Sequence, residues 1–407
     1  MIVVAGLLFA VTIAQDATLR PSCDGSDAAA GKIPAGTQVE IRFAVSDGSN
    51  CYKIAATVDG KPVLGYVDGS ALADTKSFDE QRRGGASLDG IGQSQALAKH
   101  LNERAGDPVP ERAGDPVPLL NTHQPAKALE QIEQMLKNSP RDAKLLALAS
   151  VAAYRSDDLR RAAGYCRDAL ALTDDSQTAG FCRTVERESR EDKSGEKLVG
   201  MRVALRYEGQ TLPADMARSM VAILDEEFGR ISEQLGCVAE ERITAIVQSR
   251  DAYLKTTNAA EWSGGQYDGR IHVSMSEGRW DGKQLDAGTR RTLAHEMVHA
   301  CLANIGRFPS WLHEGLAQKL SGDTLSASVR ADLRDKIRGG AIPKLENMGQ
   351  NWSRLNAQNA RLAYNLALAA ADALVEDYAN AGLRNMLRNP EMLTSATAGV
   401  DRALGFY

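Results

Sequence analysis

The stretch TLAHEMVHACLANI, residues 292–305, decides how the C-terminal half of this chain is interpreted. Leu293, Val298 and Leu302 give the stretch an apolar side at helical spacing. Neither Pro nor Gly interrupts it before Gly306. The sequence therefore predicts a helix here.

Two histidines share one side of this predicted helix, His295 and His299, with Glu296 beside the first. Positions four apart on an α-helix differ by about 40° in azimuth, so both imidazoles reach a single cation. A metal site follows if the segment is helical. A closed structural zinc site is disfavoured, because it needs four Cys or His ligands and Cys301 lies about 200° around the helix from His299.

A third ligand is expected from PSWLHEGLAQ, residues 309–318. Zinc in a hydrolase usually takes three protein ligands and leaves the fourth position for water. Gly306 and Pro309 can turn the chain into a second helix, from which Glu314 faces back toward the imidazoles. The adjacent His313 points about 100° away from Glu314, so the two cannot both bind the ion.

Length, composition and charge bound the remaining possibilities. The chain has 407 residues, of which 43% are hydrophobic and 25% charged, an ordinary globular composition for two or three domains. The net charge of −5 provides no basic field for a phosphate backbone, so nucleic acid is not an expected partner.

The apolar run at residues 2–14 is too short to span a bilayer, which takes about 20 residues of helix. Thr12 and Ala14 stand where the small residues of a cleavage site would stand, so residues 1–14 are predicted to be a signal peptide. No Lys or Arg precedes the apolar run, which leaves a buried or misannotated N-terminus as the alternative. No membrane span is expected once the signal is removed.

Residues 15–73 alternate short β-like runs with turn residues, as in GTQVEIRFAV and CYKIAATV, and predict a small β-barrel. The order TLRPS, KIPAGTQVEI, CYKIA, GYVDGSAL resembles bacterial Src-homology-3-like domains. That resemblance implies a cell-wall or other peptide ligand at the barrel. Residues 74–121 carry the octapeptide ERAGDPVP twice, at 103–110 and 111–118, and are predicted to be a flexible linker.

Residues 122–192 have a helical pattern that repeats at 34 residues, with Ala128 matching Ala162 and Leu136 matching Leu170. The period resembles tetratricopeptide helical hairpins, and packing on a neighbouring domain is favoured over partner binding. The mixed charge run at 183–197 is interpreted as a solvated helix end and a domain boundary.

Residues 199–407 form the last predicted domain, with strands at MRVALRY, ITAIVQS and RIHVSMS, a long helix over 215–235, and helices after Asp286. The fold class predicted for the chain is α+β and multidomain, with strands followed by helices in the C-terminal domain. Six cysteines fall as three close pairs, and in an exported chain these predict disulfides; free buried thiols are the alternative. The expected pairs are Cys23 with Cys51, Cys166 with Cys182, and Cys237 with Cys301.

HEMVH followed by WLHEG resembles the gluzincin zinc metallopeptidases, in particular the peptidase MA-like group. The similarity extends upstream to GGQYDGRIHVSM and downstream to LAYNLALAAADALVEDYANAGLRNML, covering roughly residues 200–407. The resemblance implies a zincin-like fold for this domain, with Zn²⁺ as cofactor, His295, His299 and Glu314 as its ligands, and Glu296 as general base.

The same family often supplies a Tyr or His that donates a hydrogen bond to the developing oxyanion, and Tyr364 is the choice here. A tyrosine that anchors a helix in the core is the alternative. Tyr267 and His272 are reserve donors, with His272 favoured as a surface residue.

Three neighbouring residues are expected to support the centre. Gln318 is placed to hold the free nitrogen of a ligand histidine, and Asp323 is its substitute. Trp311 is expected to pack beneath the ligand helix.

The leading hypothesis is a periplasmic or secreted zinc peptidase that acts on peptides or proteins. Internal cleavage is favoured, because the segment SGGQYDGRIHVS lacks the glutamate with which aminopeptidases grip a free amine. The alternatives are a catalytically inactive envelope or cell-wall binding protein that uses the barrel and helical modules, and a peptide-binding scaffold in which zinc only stabilises the fold.

Overall fold

A computed structural model provides the coordinates. The residues that it describes are 10–21, 29–44, 51–58, 60–73, 75, 94, 97–98, 100–101, 115–192, 195–210, 212–257, 259, 264–275, 285–348 and 357–406. The first octapeptide and residues 111–114 of the second lie outside these residues. The chain is α+β, as predicted, and divides into two compact units. One comprises residues 1–86, 260–262 and 354–360, and the other comprises the rest.

The N-terminal unit contains two antiparallel sheets, one of four strands in the order β1-β4-β5-β6 and one formed by β2 and β3. Strand β1 lies inside the predicted signal peptide and pairs with β4, and Ile13 is buried in the core of this unit. The boundary predicted after Ala14 therefore separates β1 from the sheet to which it belongs. The strands are β1 Ala10–Thr12, β2 Ala17–Leu19, β3 Gly31–Ile33, β4 Gln38–Ala44, β5 Cys51–Val58 and β6 Lys61–Asp68.

The second unit begins with a series of helical hairpins that share one apolar core. Ala128 and Ala162, which match at the 34-residue period, are both fully buried, because small side chains let neighbouring helices approach closely. The helices are α1 Val117–Asn121, α2 Pro125–Asn138, α3 Ala143–Arg155, α4 Leu159–Leu170 and α5 Ser176–Glu191.

The linker prediction is wrong for part of residues 74–121. Leu97 and Leu101 are helical and buried, and Val117 and Leu120 are buried in the same core as α2–α5. Leu97 and Leu101 are four residues apart, so their side chains lie on one side of the chain and cover the hairpins. The helical module therefore begins before the predicted residue 122.

A five-stranded mixed sheet with the order β10-β11-β9-β8-β7 is the centre of the second unit. Strands β8, β9 and β11 are parallel, and the outer strands β7 and β10 run antiparallel to their neighbours. The strands are β7 Glu196–Val199, β8 Val203–Tyr207, β9 Ile243–Ser249, β10 Gly265–Tyr267 and β11 Ile271–Met275.

Seven helices accompany this sheet in the described residues, and the last long one is interrupted at Ala379, where φ is +48°. Helix α6 packs on β8, and α8 packs on α6, β10 and β11. The order of strands followed by helices agrees with the prediction. The helices are α6 Ala214–Leu235, α7 Arg250–Thr257, α8 Ala287–Ile305, α9 Ser310–Ser321, α10 Ala327–Arg338, α11 Ala357–Arg388 and α12 Pro390–Leu404.

The two faces of the central sheet differ in chemistry. Side chains alternate between faces along a strand, and the parallel register aligns residues of like position across β8, β9 and β11. The face toward α6 and α8 is apolar; its residues are Val203, Leu205, Tyr207, Ile243, Ala245, Val247, Ile271, Val273 and Met275. The opposite face carries the polar residues Arg206, Thr244, Gln248, Arg270, His272 and Ser274, nearly all of them buried.

The charge run at 183–197 is not a solvated helix end, because two of its carboxylates neutralise the polar face. Glu188 is buried and lies 2.8 Å from Arg270. Asp192 is buried and lies 2.7 Å from Arg206. The helical hairpins and the sheet belong to one compact unit, so the predicted domain boundary is an internal interface.

Two of the three predicted disulfides are present, Cys166–Cys182 and Cys237–Cys301. Cys51 is also disulfide-bonded, and its predicted partner Cys23 lies outside the described residues. Within the described part of the chain, no helix is long and apolar enough to cross a membrane.

Gly315 allows α9 and α11 to pack backbone to backbone. A Cβ at this position would lie 2.2 Å from the carbonyl oxygen of Ala367, and backbone cannot move aside as a flexible side chain can. We expect Gly315→Ala to lower the free energy of unfolding by about 1–3 kcal/mol. Gly229 in α6 has open space around it, so Gly229→Ala should stabilise the protein by about 0.5–1 kcal/mol. Denaturant unfolding of both variants tests this; equal effects would contradict the packing.

Candidate metal centre

Helix α8 presents both histidines of the HEMVH segment from a fixed position. Its N-terminus is capped by Asp286, whose side chain accepts a hydrogen bond of 3.0 Å from the backbone of Thr289. Near its C-terminus, the disulfide at Cys301 joins it to Cys237, just after α6. The predicted helix over residues 292–305 is confirmed, and it ends at Ile305.

Helix α9 brings the third side chain to the same place. Residues 306–309 separate α8 from α9, as predicted from Gly306 and Pro309, and α9 begins at Ser310. The close approach at Gly315 fixes α9 against α11, and Glu314 precedes that contact directly. Glu314 is only 2% exposed, so its carboxylate is held inside the protein.

His295, His299 and Glu314 converge on one point. Nε2 of His295 lies 3.1 Å from Nε2 of His299. A carboxylate oxygen of Glu314 lies 3.5 Å from the first nitrogen, and its other oxygen lies 3.7 Å from the second. Two atoms that each lie about 2.1 Å from a tetrahedral ion are about 3.4 Å apart. The 3.1 and 3.5 Å separations around Nε2 of His295 are close to this length, and the 3.7 Å separation involves the other oxygen of Glu314, so the three side chains could hold one ion.

The chemistry of the three side chains also fits a zinc ion. Two imidazoles and one carboxylate are a donor set that catalytic zinc commonly uses. Oε2 of Glu314 is buried and faces Nε2 of His295 at 3.5 Å without a hydrogen bond of standard geometry among the described residues, and a carboxylate buried in this way costs free energy unless a positive charge is nearby. His295 keeps 22% of its side chain exposed, so the centre is open to solvent on one side.

Burial and the neighbouring charges shift the pKa values of His295, His299 and Glu314 in different directions. Burial and the charge of His295 hold the pKa of His299 well below its usual value, which keeps it neutral, as a ligand must be. Burial lowers the pKa of His295, but contact with Glu314 and the charge of Glu296 outweigh it, so the net shift is upward. Burial raises the pKa of Glu314 against the opposing effect of His295.

Glu296 directly follows His295 in the chain and is 5% exposed. Burial raises its pKa to about 7, with the positive charge of His295 opposing the shift and the charge of Glu314 adding to it. A Cβ at Gly265 on the edge strand β10 would lie 2.7 Å from both Cγ and Oε1 of Glu296. Only glycine leaves this space, and a glycine inside a strand is the sequence signal for such an approach.

The two reserve donors do not point at this centre. The hydroxyl of Tyr267 lies 3.2 Å from Nδ1 of His123, which belongs to the helical module. His272 is 1% exposed, so its interpretation as a surface residue is wrong. It lies on the polar face of the sheet, paired with Asp268 at 3.3 Å, because alternation in β11 turns it away from Val273 and α8.

The expectation for Gln318 is also wrong. Its side-chain amide donates hydrogen bonds of 3.1 Å to the backbone oxygens of Glu314 and Tyr364, so it joins α9 to α11 instead of holding a ligand histidine. Nδ1 of His299 has no hydrogen-bond partner among the described residues. Asp323 acts on His295 only through its charge.

The remaining predicted residues surround the centre. Trp311 is buried in α9, as expected. His313 is buried between the rings of His299 and Phe308, and burial lowers its pKa to about 4. Tyr364 lies on α11 next to α9, and its role as a donor stays a prediction.

Comparisons of the chain with protein-family models, with curated proteins and with solved structures give no match. The centre is therefore interpreted from its own geometry and from the motif.

The three convergent side chains predict that purified protein binds one zinc ion per chain. His299→Ala should weaken zinc affinity by more than the roughly 10- to 100-fold that follows loss of an outer-shell partner. His313→Phe is the matched control, because His313 is buried next to His299 without belonging to the convergent group. Competition with a chromophoric chelator measures both. Equal losses in the two variants would contradict the assignment of the ligands.

Proposed function

We propose that this protein is a zinc-dependent peptidase that hydrolyses peptide bonds with Glu296 as general base. The observation that carries the proposal is the convergence of His295, His299 and Glu314, whose ligand atoms all lie within 4.8 Å of one another, with the buried Glu296 next to His295 in the chain. The resemblance of HEMVH and WLHEG to the gluzincin metallopeptidases supports the same function.

His295, His299 and Glu314 would hold the ion. His299 is kept neutral by burial, so its Nε2 lone pair is free to bind. Glu314 brings one negative charge to the buried site and offsets part of the charge of the cation. Bound zinc supplies a Lewis acid that polarises a carbonyl group and lowers the pKa of water to about 7.

Glu296 transfers the proton in the proposed reaction. Its carboxylate removes a proton from the attacking water as the new carbon–oxygen bond forms. It then returns that proton to the leaving nitrogen as the carbon–nitrogen bond breaks, which gives a carboxylic acid and an amine. A base with a pKa near the working pH performs both transfers efficiently, and burial raises the pKa of Glu296 toward that range.

The substrate and the location form part of the proposal. The disulfides favour an oxidising compartment, in keeping with a periplasmic or secreted protein. Cleavage inside a peptide or protein chain is favoured, because no glutamate on the β10–β11 segment is available to bind a free amine. Tyr364 is the proposed oxyanion donor, and a cell-wall or other peptide remains the proposed ligand of the N-terminal strands.

Replacing the base should abolish turnover without releasing the metal. We expect Glu296→Gln to lower kcat by about 10²- to 10⁴-fold, because an amide cannot take the proton from water. Zinc content should stay at one per chain. Hydrolysis of a quenched fluorescent peptide library, together with metal analysis of the same preparation, measures both quantities.

The matched control is Glu226→Gln. Glu226 is an exposed residue of α6, and its carboxylate pairs with Arg290 of α8, the helix that also carries Glu296. The variant should keep wild-type activity. Zinc binding without hydrolysis of any peptide by the wild-type protein would favour the scaffold or the inactive binding protein instead.

The glycine behind the base offers a second test. Gly265→Ala places a methyl group where Glu296 lies, so kcat should fall by at least about tenfold while zinc is retained. At the neighbouring Gly264 a Cβ would lie 3.4 Å from Thr292, an ordinary contact, so Gly264→Ala should keep kcat within about twofold. Steady-state kinetics of Gly265→Ala and Gly264→Ala test this prediction. Similar kcat values in the two variants would contradict a tight contact between Gly265 and Glu296.

A further inference from the structure

The turn between β10 and β11 is clamped by the helical module. The hydroxyl of Tyr154, in α3, lies 2.8 Å from Oδ2 of Asp268 and 2.8 Å from Oε2 of Glu188, and donates its proton between these two carboxylates. Ser94 donates a short hydrogen bond to the backbone oxygen of the same aspartate, and Arg155 donates to Ser94 at 3.1 Å. We call Tyr154, Arg155 and Asp268 the turn clamp.

Packing reinforces the turn clamp at the next residue. Gly269 has a φ of +101°, and a Cβ there would lie 2.6 Å from Cγ of Arg155. The end of α3 therefore rests directly on the backbone of the turn. Arg270, the residue after it, stacks over the ring of Tyr154 with its Cζ 3.7 Å from the ring centroid.

Both carboxylate oxygens of Asp268 have polar partners. Its Oδ1 accepts from the backbone of Arg270 at 3.2 Å and faces His272 at 3.3 Å, while its Oδ2 accepts from Tyr154. A buried carboxylate with donors on both oxygens has a single favourable position. The turn is therefore fixed relative to α3.

The hairpin held by this turn also supports the base of the proposed reaction. Gly265 is two residues before the end of β10, and its backbone lies against the side chain of Glu296. Movement of the hairpin toward α8 would push Glu296, and movement away would release it. Displacement by about 1 Å at a reacting group can cost up to about 100-fold in rate.

We propose that the helical-hairpin module is a positioning element of the peptidase, which sets Glu296 through the turn clamp and the β10–β11 hairpin. This inference rests on the proposed function, since it concerns the placement of the general base. Tyr154 and Asp268 are positioning residues, because they act through the hairpin and do not touch the reacting atoms.

Tyr154→Phe removes the hydroxyl that α3 shares between Asp268 and Glu188 and leaves the aromatic ring in place. We expect kcat to fall about tenfold or more, with KM within about twofold and zinc content unchanged. Backbone amides of residues 265–275 should exchange hydrogen faster than in the wild-type protein. Gly269→Ala, which presses on Arg155 from the turn, should act in the same direction and serves if Tyr154→Phe folds poorly.

Asp192→Asn is the matched control. It removes a carboxylate that pairs with Arg206 on β8 and accepts a hydrogen bond from Gln248 on β9, and neither strand belongs to the β10–β11 hairpin. Its loss of thermal stability should resemble that of Tyr154→Phe, while kcat and exchange at 265–275 stay as in the wild type. Equal exchange in the two variants, or kcat losses that follow the loss of stability in both, would overturn the inference. If the wild-type protein shows no turnover, the proposed function fails, and the exchange measurement still decides whether the helical module holds the hairpin.

Discussion

A carboxylate buried between two imidazoles is the constraint on which the second unit depends. Glu314 is almost fully buried, and one of its oxygens has no hydrogen-bond partner among the described residues. Removing a carboxylate from water costs several kcal/mol unless an opposite charge compensates. Three helices contribute to that burial, since α8 carries the imidazoles, α9 carries the carboxylate, and α11 packs on α9 at Gly315. A cation at the point of convergence would offset the cost, and for this reason metal binding and folding should be coupled.

The central sheet meets two different requirements on its two faces. The apolar face gives α6 and α8 a close-packed support, which is what a site of fixed geometry needs. The polar face buries Arg206 and Arg270, each of which would be strongly destabilising without a partner. Their partners Asp157, Glu188 and Asp192 all come from the helical module. Unpaired charges on this face would strongly destabilise the sheet without the hairpins that neutralise them, in keeping with the division that places both modules in one unit.

The sequence was informative where one local pattern determines the outcome. Helical periodicity and the spacing of His295 and His299 predicted α8 and its shared face, and Gly306 with Pro309 predicted the break before α9. Residues whose role depends on distant partners were not predictable in this way. The alternation of His272 with apolar neighbours is the same whether its face of the strand is exposed or buried. Only the presence of Asp268 and the helical module shows that it is buried. Gln318 has the right spacing to reach a ligand histidine, but α11 offers it a backbone oxygen instead.

The same reasoning explains why the charge run at 183–197 was misread. A mixed charge run on a helix is normally solvated, because burying one charge without its partner is expensive. Here the partners Arg206 and Arg270 are encoded in strands that follow later in the chain, so no window of sequence contains both members of a pair. Ion pairs between buried groups add little net stability compared with apolar packing, but they tolerate only one arrangement. In this fold the ion pairs fix the position of the helical hairpins relative to β11. Strand β10, which pairs with β11, contacts the side chain of Glu296 at Gly265, so the position of the hairpins also affects Glu296.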